Sequence, residues 1–149
     1  MSKFLTHRFI SLLASAALLS VGIGSNANAQ TTMYNPIELP ANNEITDVLS
    51  EKDIPTGFGG FARDYIVSLE SGDQIVIDLL SEQFDTIITL IAPDGSTLGE
   101  NDDGPDGTTN SLLFARITNP GSYILRVRPY AGQGLGEFTL KMTRLRPVQ

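Results

Sequence analysis

The chain has 149 residues, of which 41% are hydrophobic, with no cysteine, no tryptophan, one histidine and a net charge of −7. That length suits a single domain, and its acidity argues against nucleic acid or anionic lipid as a partner. Without cysteine there can be no disulfide and no lipoprotein anchor. At the N-terminus, Lys3, His7 and Arg8 precede an apolar stretch, Phe9–Ile23, and then Ala27-Asn28-Ala29. This is the three-part pattern of a secretory signal cleaved before Gln30. The apolar run is short and broken by Ser11, Ser15, Ser20, Gly22 and Gly24, so no membrane insertion is expected after cleavage. Export to a periplasm or to the outside of the cell follows. The signal would take His7 with it and leave 8 Lys+Arg against 17 Asp+Glu, a net charge of −9. A chain with neither histidine nor cysteine cannot build a Ser-His-Asp or Cys-His nucleophile, a His or Cys zinc site, or haem or iron–sulfur ligation.

The expected organisation is a signal peptide over 1–29, an extended leader over 30–43 containing Pro36 and Pro40, and a β domain over 44–149. No segment of the domain has a helical period. Strands are expected at Glu44–Leu49, Asp64–Leu69, Gln74–Leu80, Thr86–Ile91, Ser111–Ile117, Ser122–Arg128 and Glu137–Leu145. Alternation turns Tyr65, Val67 and Leu69 inward and Asp64, Ser68 and Glu70 outward. Ile75, Ile77 and Leu79 form a second inward set, Tyr123, Leu125 and Val127 a third, and Phe138, Leu140 and Met142 a fourth. Thr86–Ile91 is apolar on both faces, as in an interior strand. Pro36, Pro40, Pro55, Pro93, Pro105 and Pro120 fall between runs, and Pro129 and Pro147 at strand ends, so none breaks a ladder. Ser71-Gly72-Asp73, Pro93-Asp94-Gly95 and Asn119-Pro120-Gly121 carry turn chemistry. The fold class read from this pattern is all-β, an antiparallel jelly-roll-like sandwich of about seven to nine short strands.

Charge is unevenly placed. Eleven of the seventeen acids lie between Arg63 and Arg116, an interval with no Lys or Arg, whereas from Arg116 onward there are six cations and one acid, Glu137. Either the C-terminal strands pair with acidic strands across the sheet, or Arg126 and Arg128, two apart on one strand, form a basic stripe that meets an acidic partner. The segment Gly99–Gly107 holds Glu100, Asn101, Asp102, Asp103 and Asp106, a density of hard oxygen ligands that suits calcium. It does not follow the EF-hand template, because counting from Asp102 the third position is Gly104 and the twelfth is Leu113. Asx side chains also make turns by bonding their own backbone, and both readings stay open.

Read in order, Arg63-Asp64-Tyr65, Ser71-Gly72-Asp73, Phe84-Asp85-Thr86, Pro93-Asp94-Gly95, Asn101-Asp102-Asp103-Gly104, Asn110-Ser111, Gly121-Ser122-Tyr123 and Gly136-Glu137-Phe138-Thr139-Leu140 resemble the bacterial pre-peptidase C-terminal domain family. The resemblance runs from about Asn35 to Leu145. It implies a small jelly-roll-like sandwich of the kind that accompanies secreted peptidases, related to collagen-binding domains of collagenases that calcium stabilises. It also implies that Asp64, with Asn43, Glu44 and Asp47 of the leader region, corresponds to calcium ligands. Gly59-Gly60-Phe61-Ala62 stands where a further aspartate would be expected, which makes Asp102, Asp103 and Asp106 the second candidate set. Arg126, Arg128 and Tyr130 occupy the strand positions where the related domains present their binding face.

Together these readings describe an exported module, not an enzyme, that binds a protein or a cell-surface polymer outside the cytoplasm, with calcium as its one candidate cofactor. Since the signal leads almost directly into the domain, a separately encoded peptidase is a candidate partner. A carbohydrate-binding jelly roll and a purely structural envelope or matrix protein are the alternatives. A carboxylate pair such as Asp102 and Asp106 could serve glycoside hydrolysis only in a pocket that raises one pKa, and the sequence gives no sign of such a pocket.

Overall fold

In a computed structural model, the described residues are 34–57, 59–105 and 107–145. The expected signal peptide, 1–29, and Asp106 lie outside them. The described residues form ten strands: β1 (Ile37–Glu38), β2 (Glu44–Leu49), β3 (Ile54–Pro55), β4 (Phe61–Leu69), β5 (Gln74–Leu80), β6 (Thr86–Ile91), β7 (Thr97–Asn101), β8 (Ser111–Arg116), β9 (Gly121–Pro129) and β10 (Gly136–Leu145). One sheet runs β1-β4-β9-β6-β7, with β3 also paired to β4, and the other runs β2-β10-β5-β8. All pairs are antiparallel except β1 on β4. From β4 to β10 the chain passes repeatedly between the two sheets, so neither half of the sequence builds a layer alone.

The inward sets expected from alternation fill the space between the sheets. Tyr65, Leu69, Ile75, Ile77, Leu79, Leu125, Val127 and Leu140 have no exposed surface. Phe138 packs edge-on against both Tyr65 and Phe84, with ring centroids 6.2 and 6.4 Å away, a geometry that suits the aromatic quadrupole. The polar groups drawn into this core find partners: the Thr86 and Ser111 hydroxyls lie 2.6 Å apart, and the Tyr65 hydroxyl donates to Asp47 Oδ2 at 2.8 Å. No buried side-chain nitrogen or oxygen among the described residues lacks a partner, as a dry core requires.

Three strands lie where none is expected from the sequence, and β4 begins three residues before its expected start, at Phe61. β7 takes up Gly99, Glu100 and Asn101 of the acidic segment, because pairing with β6 supplies the order that side-chain hydrophobicity does not. β3 includes Pro55, expected between runs; it sits at the edge of β4, where a missing N–H breaks no ladder. β1 belongs to the expected leader, yet Ile37 and Glu38 pair with Tyr65 and Ile66, and Leu39 joins the core. β8 ends at Arg116, one residue before the expected end.

Candidate functional site

The outward face of the β1-β4-β9-β6-β7 sheet carries a row of polar side chains fixed by strand register. Asp64 on β4 opposes Arg126 on β9, Arg126 opposes Thr89 on β6, and Thr89 opposes Glu100 on β7. The expectation that Asp64 faces outward holds for its direction, but its side chain is fully buried, because Arg126 and Tyr34 close over it. Arg126 Nε reaches Asp64 Oδ1 at 2.8 Å and Nη2 reaches Oδ2 at 2.7 Å, while the Tyr34 hydroxyl donates to Oδ2 at 2.7 Å. Planar guanidinium geometry makes this two-point contact specific. Burial of the phenol end together with the bond to Asp64 pushes Tyr34 up to about 12.

Glu100 ties two rows together. It accepts from Thr89 Oγ1 at 2.6 Å and pairs with Arg128 Nη2 at 2.9 Å. The Thr89 hydrogen bond, aided by Arg128, holds its carboxyl below the ordinary range despite some burial. Thus both arginines of the expected stripe are paired across the sheet, and Arg144 with Asp73 at 2.5 Å repeats the pattern elsewhere. Arg128 opposes Ile87 and Arg126 opposes Thr89 on this face, and β6 is buried on both faces from Thr86 to Leu90.

Over this row lies a hollow of about 520 Å³, bordered by Ile54 and Ala62 on one side and floored by Thr89, Glu100, Arg126 and Arg128. A second hollow of about 410 Å³ shares Glu100, Arg128 and Ala131 with it and adds Tyr130 and Asp102. The two adjoin, forming one trough. Its rim is a close backbone contact between the loop after β3 and the turn after β9. A Cβ on Gly60 would lie 2.6 Å from Gly132 O, and one on Gly132 would lie 2.6 Å from Gly59 O. Both glycines also have positive φ, +72° and +69°, so other residues are disfavoured twice over. Ala131, with φ +50°, holds a left-handed conformation without the glycine exemption at the rim common to both hollows.

The expected binding residues Arg126, Arg128 and Tyr130 therefore come together on one trough, with Tyr130 half exposed. Thr89, the residues Ile54, Pro55, Thr56, Gly57 and Gly59, and the Ala131-Gly132 rim were not among the expected site residues. Thr89 had no signal beyond its place on an apolar strand. Gly59-Gly60 was visible only as a gap in a motif.

The calcium candidates are dispersed. Asp47 lies on the opposite side of β4 from Asp64, accepting from Tyr65 and pairing with Arg63 at 2.5 Å. Burial works against its charge, but the Tyr65 bond and the Arg63 contact outweigh it and leave the pKa lowered. Arg63 also reaches Asp53 at 2.7 Å. Glu44 faces Lys141 at 3.8 Å on the other sheet. Asp64 has both oxygens occupied by three donors, so a cation there would have to displace a guanidinium and a phenol. In the acidic loop, Asn101 acts as a turn former: its Nδ2 donates to the carbonyls of Asp103 and Leu112, and its Oδ1 accepts from the Asp102 and Asp103 amides. Among the described residues no three acidic side chains converge as a metal cage would require. No helix among them is long and apolar enough to cross a membrane.

Two sheets packed face to face, with a polar trough on one outward face, define a jelly-roll-like β-sandwich. Residues 62–129, essentially β4 through β9, match the model of the family described as the bacterial pre-peptidase C-terminal domain. Among solved structures, the pre-peptidase C-terminal domain of a collagenase from Bacillus anthracis aligns with a TM-score of 0.53 and 20% identity, over 73% of this chain and 93% of that one. PliG of Aeromonas hydrophila, a periplasmic inhibitor of g-type lysozyme, aligns with a TM-score of 0.52 and 12% identity, over 74% and 96%. The corresponding PliG of Salmonella Typhimurium aligns with a TM-score of 0.50 and 12% identity, over 75% and 100%. At these identities the likeness is one of fold. No curated protein sequence matches the chain.

Proposed function

We propose that the chain is an exported, non-catalytic module that binds a protein or a cell-surface polymer outside the cytoplasm, through the trough on the outward face of the β1-β4-β9-β6-β7 sheet. The observation that carries this reading is the trough itself: about 520 Å³ of hollow whose floor is fixed by a ladder of paired side chains. Such preorganised donors and acceptors serve recognition without reordering on contact. The fold is shared by a domain of a collagenase and by an inhibitor that acts on a lysozyme, which supports a role in binding.

The same chemistry speaks against catalysis. The carboxylate among the described residues of the larger hollow, Glu100, has a lowered pKa, the opposite of what a general acid needs. Calcium enters this reading only through the loop of Asp102 and Asp103, which form no ion pair among the described residues.

The test is a pull-down from the native exported fraction with the wild-type chain and with Arg126→Ala/Arg128→Ala. A partner retained by the wild type and lost by the double variant is expected. A partner retained equally by both would place the binding face elsewhere and overturn the reading.

A further inference from the structure

We propose that the ligand of the trough is a neutral glycan chain; this deepens the proposed binding role and rests on it. Three features point there. First, the charges of the larger hollow cancel locally, Arg126 being matched by Asp64 and Arg128 by Glu100, and the second hollow adds a single carboxylate, Asp102. An anionic ligand would meet no net positive field and a cationic one only the Asp102 carboxylate, whereas an uncharged ligand pays no penalty for displacing counter-charges.

Second, the pairing leaves unused hydrogen-bonding capacity of both kinds. Among the described residues Arg128 Nε and Nη1 have no hydrogen-bond partner, and the Glu100 carboxylate retains free lone pairs beside them. A sugar hydroxyl is donor and acceptor at once, so it can bridge a guanidinium N–H and a carboxylate oxygen in a single contact. The guanidiniums are locked by their carboxylates and would lose little freedom on binding.

Third, Tyr130 is 50% exposed at the second hollow, next to Arg128 and Glu100. A flat ring there matches the apolar face of a pyranose while the ring's edge stays wet. The two hollows share Glu100, Arg128 and Ala131 and together offer about 520 and 410 Å³, room for several linked units rather than a single sugar.

Affinity electrophoresis of the purified chain tests this, with gels containing β-1,3-glucan, β-1,4-xylan or galactomannan as neutral probes and polygalacturonate or gelatin as charged and protein probes. The expected result is retardation by at least one neutral polysaccharide, unchanged between about 50 and about 500 mM salt because no charge pairing is involved. Tyr130→Ala and Arg128→Gln should each weaken it by about tenfold or more. Tyr130→Ala alters a half-exposed side chain, so its melting curve should coincide with that of the wild type and guard against misfolding. Retardation by none of the neutral probes, or loss of it on adding salt, would overturn the glycan assignment. If gelatin alone retards the chain and Tyr130→Ala abolishes this, the glycan falls while the trough keeps its binding role. If neither variant changes any retention, both fall.

Discussion

On the outward face of the β1-β4-β9-β6-β7 sheet a carboxylate, Asp64, is 2% exposed, whereas on the outward face of the β2-β10-β5-β8 sheet a phenylalanine, Phe114, is 52% exposed. The two faces come from the same strand alternation. The difference lies in what covers them. Cross-strand partners on the first face hold one another at 2.6 to 2.9 Å, Tyr34 bonds Asp64, and the β3 segment adds a wall. On the second face Glu44 and Lys141 stand 3.8 Å apart in solvent, and Phe114, Leu80 and Val48 are scattered singly. Lone exposed apolar residues are ordinary, while a buried, fully bonded charge is not. The unusual face is the one that merits a functional reading.

The largest effect should come from breaking the ladder at its anchor. Asp64→Ala would leave the Arg126 guanidinium without its carboxylate and should cost about 3 to 5 kcal/mol in urea denaturation. The loss should be the same in calcium and in EDTA, because Asp64 is bonded to protein donors. A deficit confined to calcium-loaded protein would instead make Asp64 a ligand. Next, Gly60→Ala drives a Cβ into the Gly132 backbone at a positive φ. A destabilisation of about 1 to 3 kcal/mol is expected, with loss of trough binding, read from a melt and a pull-down together.

A smaller effect concerns acid. The Glu100 pKa is depressed from 4.5 by Thr89 and Arg128, so its contribution is fully present above pH 4.5 and is lost as the pH falls through its lowered value. Asp47, lowered from 3.8, acts in the same direction. Stability measured in urea from pH 7 down to pH 3 should fall on the acid side, and Glu100→Gln with Asp47→Asn should flatten that limb. The smallest effect belongs to the other face. Phe114→Ser should change stability by no more than about 0.5 kcal/mol and leave retention by the trough's ligand unaltered.

Much of the sandwich was legible because half-buried strands write their alternation into the chain. All four inward sets lie in the core, and the turn at Gly72 and the turn at Gly95 fall where Ser71-Gly72-Asp73 and Pro93-Asp94-Gly95 put them. β7 was not legible, since Thr97, Gly99, Glu100 and Asn101 owe their strand to β6 rather than to their own hydrophobicity. Two-residue strands such as β1 and β3 are too short to show a period. For the site, Arg126, Arg128 and Tyr130 could be found from one strand and the turn after it. Their partners could not, because Tyr34, Asp64, Thr89 and Glu100 come from four distant segments that only the sheet order brings together. Asp64 read as a surface residue for the same reason: alternation gives a side chain's direction but not what lies above it.

The most direct test of the trough as the binding face is a paired retention measurement on material from the exported fraction. Tyr130→Ala/Arg128→Gln and Phe114→Ser/Lys141→Ala alter the two outward faces to a similar extent. With equal melting temperatures established, the first variant should lose at least about nine-tenths of the wild-type retention and the second almost none. Loss in the second variant, with the first unaffected, would assign binding to the β2-β10-β5-β8 face and contradict the role given to the trough.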